Sequence, residues 1–125
     1  MFKDKVVVIT GGAHGIGLCM AQQFAGEGAH VCVIDKAQGP HYVGDIASKE
    51  VLEAFAAHVI DTYGHVDVLI NNALPVTRGI DSCTYEEFSY AMAVGVTAPF
   101  YLARLFSAHF APGASIINIS SSRDT

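Results

Sequence analysis

From Thr10 to Gly17 the chain reads Thr-Gly-Gly-Ala-His-Gly-Ile-Gly. Positions without a side chain let a backbone approach a pyrophosphate closely, and a helix opening just after them aims its free N–H groups at the same anion. Thr10, Gly11, His14, Gly15, Ile16 and Gly17 are therefore candidate phosphate-cradle residues. Asp35 follows Gly17 at close to the roughly 20-residue separation at which an acidic side chain accepts both ribose hydroxyls of an NAD adenosine. A 2′-phosphate would be repelled by that carboxylate, which favours NAD over NADP. The histidines, at positions 14, 30, 41, 58, 65 and 109, fall in no His-x-x-x-His or His-Glu-x-x-His pattern, so no metal site is expected. Cys19, Cys32 and Cys83 are odd in number and lack a Cys-x-x-Cys spacing; three reduced thiols are expected.

The elements that position this chemistry follow from periodicity. Val6 to Ile9 is a β-branched run, apolar on both faces, as in a strand buried within a parallel sheet. A helix follows the glycines as far as Gly26 and Gly28. His30 to Asp35 repeats the strand signal, and Tyr42 with Val43 gives a weak third strand. Ser48 is an N-cap, and Val51, Leu52, Phe55, Ala56, Val59 and Ile60 mark one face of a helix ending near Gly64. Val66 to Asn71 is the fourth strand. Thr84 and Glu87 form a capping box opening a long helix that carries Phe88, Met92, Phe100, Ala103 and Phe106, kinked at Gly95 and Pro99. Ser115 to Ser120 is the fifth strand. Strands alternating with helices give right-handed crossovers and a doubly wound α/β sheet, strand order 3-2-1-4-5, with its ligand crevice where the order reverses.

Composition narrows the partners. The 125 residues are one ordinary domain, 51% apolar and 15% charged, where soluble domains average about a quarter charged; with a mean hydropathy of +0.37, disorder is excluded. Seven Lys and Arg against twelve Asp and Glu leave a net charge of −5, the wrong sign for a nucleic-acid partner. No apolar stretch approaches the roughly 20 residues of a membrane span, and no signal peptide is evident, so a cytoplasmic location is expected.

These motifs resemble the short-chain dehydrogenase/reductases. The Thr-Gly-x-x-x-Gly-x-Gly loop matches at Thr10, Gly11, Gly15 and Gly17. Asp45-Ile46 is similar to the family's Asp-apolar pair beside the adenine, and Asn71-Asn72-Ala73 to its Asn-Asn-Ala. Val94 to Phe100 and Ile117 to Ser121 resemble two further family segments. The resemblance implies a Rossmann fold and a nicotinamide cofactor, NAD, contacted by Gly11, Gly15, Ile16, Asp35, Asp45, Ile46, Asn72 and Ala73. It also implies hydride exchange with a small carbonyl or alcohol substrate, a catalytic serine at Ser121 and a homo-oligomer.

The chain departs from the pattern in three places. The family's Tyr-x-x-x-Lys would come after Ser121, and none occurs before Thr125; the position of its catalytic Asn is Gly95; and the Gly after Asn-Asn-Ala is Leu74. The 125-residue chain is thus expected to be the NAD-binding half, lacking the family's C-terminal strands and inactive alone. The alternative is a catalytically inactive nucleotide-binding or interaction module. It is further expected not to be a stable monomer, with the helix surface around Phe100, Leu102 and Phe106 in the contact.

Overall fold

In the computed structural model, which describes residues 2–74 and 81–119, the apolar runs form the centre of a parallel sheet. Its strands are β1 (Val6–Thr10), β2 (His30–Asp35), β3 (Tyr42–Val43), β4 (Val66–Asn71) and β5 (Phe110–Asn118). They lie in the order β3-β2-β1-β4-β5, and every pairing is parallel. This is the expected 3-2-1-4-5 winding. The order reverses between β1 and β4, whose carboxyl ends deliver Thr10 and Asn71 side by side.

Side-chain alternation along β1 divides the core. Val6 and Val8 face α2 (Lys49–Tyr63) and the long helix, joining Ile34, Phe55, Val59, Leu69, Leu102 and Phe106. Val7 and Ile9 face α1 (Gly15–Gly26), packing with Val68, Ile70, Met20 and Phe24. The caps are as expected: the Ser48 side chain accepts from Val51 N–H at 3.3 Å, Gly64 ends α2 in the left-handed region at φ +80°, and Thr84 and Glu87 exchange two 3.0 Å bonds.

Two features differ from the sequence expectation. The long helix consists of α3 (Tyr85–Met92), a π-helical segment (Ala93–Thr97) and α4 (Ala98–Phe106). Pro99 has no N–H to send to the Gly95 carbonyl, and its ring crowds that carbonyl; the irregularity takes the form of a π-turn centred on Gly95. The buried side of this assembly is Val94, Ala98, Leu102 and Phe106, while Phe88, Met92, Val96 and Phe100 are exposed. Leu102 and Phe106 are core residues unavailable for a surface contact, and only Phe100 of the three expected there lies outside.

The third strand falls at Tyr42 and Val43, as expected. A parallel step back along a sheet takes about a dozen residues and usually a helix, but residues 36–41 join β2 to β3. So short a link cannot return the length of the sheet, and β3 pairs only with the carboxyl end of β2, Ile34 with Tyr42 and Asp35 with Val43. The second difference is β5, which begins at Phe110. Val66 pairs with Phe110 and Val68 with Ser115, so residues between them bulge out around Gly113 at φ +81°.

Candidate functional site

A cleft of about 710 Å³ opens at the strand-order reversal. One wall is the glycine loop. Gly11, at φ +70°, takes a backbone conformation that side chains disfavour, and a Cβ there would stand 2.8 Å from Ala73 Cα. A Cβ on Gly17 would stand 2.3 Å from the Gly11 carbonyl oxygen and 2.4 Å from Asn72 Nδ2. These glycines let β1, α1 and the segment after β4 close on one another. Asn72 Nδ2 then donates to the Gly11 carbonyl at 2.9 Å, and the buried Thr10 hydroxyl accepts from Asn72 and Ala73 N–H, both at 3.1 Å.

The amino end of α1 is left open. His14 stands at its N-cap without a side-chain capping bond, and no acidic residue occupies the first turn. The first N–H groups of a helix have no intrahelical acceptor and carry its positive dipole end, so an anion is the natural partner. Ile16, beside them on the cleft wall, is 66% exposed, apolar surface that a ligand would cover.

The cleft wall formed by the ends of β2 and β3 is acidic. Asp35 accepts from Ala13 N–H through one oxygen and Ala37 N–H through the other, both at 3.0 Å, tying the glycine loop to β2. Each carboxylate oxygen retains a second lone pair for a ligand hydroxyl. Asp45 accepts from Ala47 N–H at 2.9 Å and from the Tyr90 hydroxyl at 2.9 Å. Lys36 Nζ donates to that hydroxyl at 3.3 Å and lies 5.3 Å from the ring centre. Burial first, then the Asp45 carboxylate, holds the Tyr90 hydroxyl above its ordinary pKa, so it stays a donor. Between the acids, Ile34, Ile46 and Val94 supply a buried apolar floor.

Of the sequence candidates, Gly11, His14, Ile16, Asp35, Asp45, Ile46, Asn72 and Ala73 all line this cleft. Thr10 and Gly17 lie beneath the loop as buried supports, and Gly15, at φ +54°, is exposed at the start of α1. Leu74, where a glycine was expected, lines the cleft and is 49% exposed. Gly95 is exposed in the π-helical segment. Ser121 lies outside the described residues. Sequence reasoning missed Lys36, Glu86, Glu87 and Tyr90 as lining residues; a Lys directly after the acidic strand end was the one available signal. Among the described residues no group of three or more His, Cys, Asp or Glu side chains could hold a metal ion.

The single parallel sheet, its reversal between β1 and β4 and the glycine loop leading into α1 define a Rossmann-type α/β protein. The chain belongs to the short-chain dehydrogenase family, whose model, described as short chain dehydrogenase, matches residues 5–124. A probable galactose dehydrogenase of Rhizobium meliloti is 30% identical over 95% of this chain and 54% of its own. An apo SCOR enzyme from Clostridium thermocellum superimposes with a TM-score of 0.87 at 34% identity, over 94% of this chain and 54% of that one. The 3-ketoacyl-(acyl-carrier-protein) reductase of Brucella melitensis, solved with NADH, gives 0.86 at 27% identity, over 96% and 59%. The chain spans about half the length of the curated relatives it matches.

Proposed function

We propose that residues 1–125 form the NAD-binding domain of an oxidoreductase that moves a hydride between a nicotinamide and a carbonyl or secondary alcohol carbon. The observation that carries this reading is the cleft itself, whose lining joins the uncapped amino end of α1 to the Asp35 and Asp45 carboxylates. Family membership supports it, as does the NADH bound to the Brucella relative. When bound, the cofactor supplies the redox chemistry. The chain's own part is to hold the pyrophosphate at the N–H groups after His14, accept the ribose hydroxyls on Asp35, and enclose the adenine between Ile34, Ile46 and Val94 beside Asp45. A 2′-phosphate would meet the Asp35 carboxylate, hence NAD over NADP.

By resemblance, Ser121 polarises the substrate oxygen. Gly95 cannot supply the side chain of the family's catalytic Asn, and no tyrosine of these residues has a lysine four positions later. Proton transfer needs a group within hydrogen-bond reach, so the 125-residue polypeptide is expected to bind cofactor without turning it over. That is the second reading, a nucleotide-binding module. The three unpaired cysteines suit a reducing compartment such as the cytoplasm, and no helix among the described residues is long and apolar enough to cross a membrane. Self-association through the exposed side of α3 and α4 completes the proposal.

Titrating the protein with NADH and NADPH, followed by nicotinamide fluorescence, tests the cofactor reading. NADH is expected to bind the more tightly; tighter NADPH binding overturns the preference, and binding of neither overturns the site. Ketone-dependent NADH oxidation, proportional to mass-verified 125-residue protein, would overturn the expectation of inactivity.

A further inference from the structure

We propose that Tyr90 is a positioning residue for the cleft: its hydroxyl orients the Asp45 carboxylate to accept a hydrogen bond from the amino group of an adenine. The inference rests on the dinucleotide reading above and goes beyond it, since nothing in the sequence pattern gives Tyr90 a role. Asp45 leaves β3 on a loop, and a free carboxylate there would rotate about its terminal torsion. Here one oxygen accepts from Ala47 N–H and the other from Tyr90, both at 2.9 Å. Two fixed donors on two oxygens set the plane of the group, leaving one lone pair on each oxygen. The Tyr90 hydroxyl is itself fixed, because it accepts from Lys36 at 3.3 Å while donating to Asp45. The chain of bonds therefore joins the end of β2, the exit of β3 and α3 around one edge of the cleft.

The apolar floor of Ile34, Ile46 and Val94 beside this carboxylate suits a flat ring carrying a hydrogen-bond donor. An ionised carboxylate only accepts, so it favours an adenine amino group and repels the carbonyl oxygen at the same place in hypoxanthine. A site built around a particular hydrogen bond discriminates strongly against an analogue that lacks it. Losing the orienting hydroxyl should remove that discrimination while leaving the ring, the helix and the pyrophosphate end unchanged.

The test compares binding of NADH and of reduced nicotinamide hypoxanthine dinucleotide to the wild type, Tyr90→Phe, Asp45→Ala and the double variant. The wild type is expected to prefer NADH about tenfold, the size of one hydrogen bond to a charged group. Tyr90→Phe keeps the aromatic packing, so the fold is not at risk; it should bring the two ligands to near parity by weakening NADH alone. Asp45→Ala should do the same, and adding Tyr90→Phe to it should change the ratio no further. A Tyr90→Phe protein that keeps the wild-type ratio, or weakens both ligands equally, overturns the inference and leaves the cofactor reading standing. So does a wild type that binds both equally. A wild type that binds neither overturns both.

Discussion

Asp35 holds two backbone N–H groups before any ligand reaches it, so it serves the loop whatever its part in the proposed ribose contact. Asp35→Ala is expected to weaken NADH roughly tenfold, as the loss of charge-assisted bonds implies. NADPH should lose less, because the variant also removes the repulsion of its 2′-phosphate. An unchanged NADH-to-NADPH ratio, measured by fluorescence titration, would sink this assignment. Cys32 gives a second residue-scale expectation. Burial pushes its thiol up from its ordinary value to about 11, so it is a thiol at neutral pH and a poor nucleophile. Folding favours the protonated form; the contribution is complete below about pH 9 and lost as the pH climbs through about 11, so stability should fall across that window. Cys32→Ala should flatten this alkaline limb in thermal melts, and iodoacetamide at pH 8 should label the exposed Cys19 well before Cys32. Equal labelling would contradict it. The glycine loop and Asp35 were legible because their chemistry is local in sequence. That Thr10 and Gly17 support the cleft from below was not, since one motif mixes positions that touch a ligand with positions that let backbones meet. Tyr90 stood outside every motif because its partner Asp45 is brought to it by the fold.

At the scale of elements, strand order followed from alternation and from the ends of each apolar run. What sequence periodicity misassigned was the face of the long helix. Phe88, Met92, Phe100 and Phe106 look alike as apolar residues at helical intervals, yet the first three are exposed and Phe106 is fully buried with Leu102. Two apolar stripes, offset along one helix, cannot be told apart until the sheet shows which one it covers. The consequence is measurable. Phe106→Ala should destabilise the protein by roughly 3–5 kcal/mol, as cavity-forming core truncations do. Phe100→Ala, 62% exposed, should cost the fold far less. Urea denaturation reads both; equal losses would contradict the assignment of faces. The third strand was legible at Tyr42 and Val43, but not the extent of its pairing. A two-residue strand carries almost no periodic signal, and its pairing at one end of β2 is set by the length of residues 36–41. The start of β5 at Phe110 was hidden by the bulge at Gly113, which interrupts the register that alternation would reveal.

Among the described residues, apart from Ile16 and Leu74 at the cleft and the less exposed Leu18 and Val43, the large apolar side chains left outside fall in two places. Tyr85, Phe88, Met92, Val96 and Phe100 are all at least 41% exposed along α3, the π-helical segment and α4, a contiguous helical tract rather than scattered residues. Contiguous apolar tracts of this kind mark interaction surfaces or aggregation liabilities. The second place is β5. It closes one side of the sheet order, and Ile116 and Ile117, pointing to opposite faces, are 48% and 41% exposed. A strand at the edge offers a row of backbone donors and acceptors to another chain. Both surfaces therefore favour contact, and they differ in how they would respond to mutation: charge on the helix tract disrupts side-chain packing, whereas backbone pairing at β5 tolerates it. The 125-residue polypeptide is expected to self-associate or aggregate, and Phe88→Glu with Phe100→Glu to reduce the association if the helix tract carries it. Light scattering with size exclusion decides the matter. A monodisperse wild-type species of 13.2 kDa with a sharp cooperative melt would refute self-association, and an oligomer unmoved by the double substitution would transfer the contact to the β5 edge.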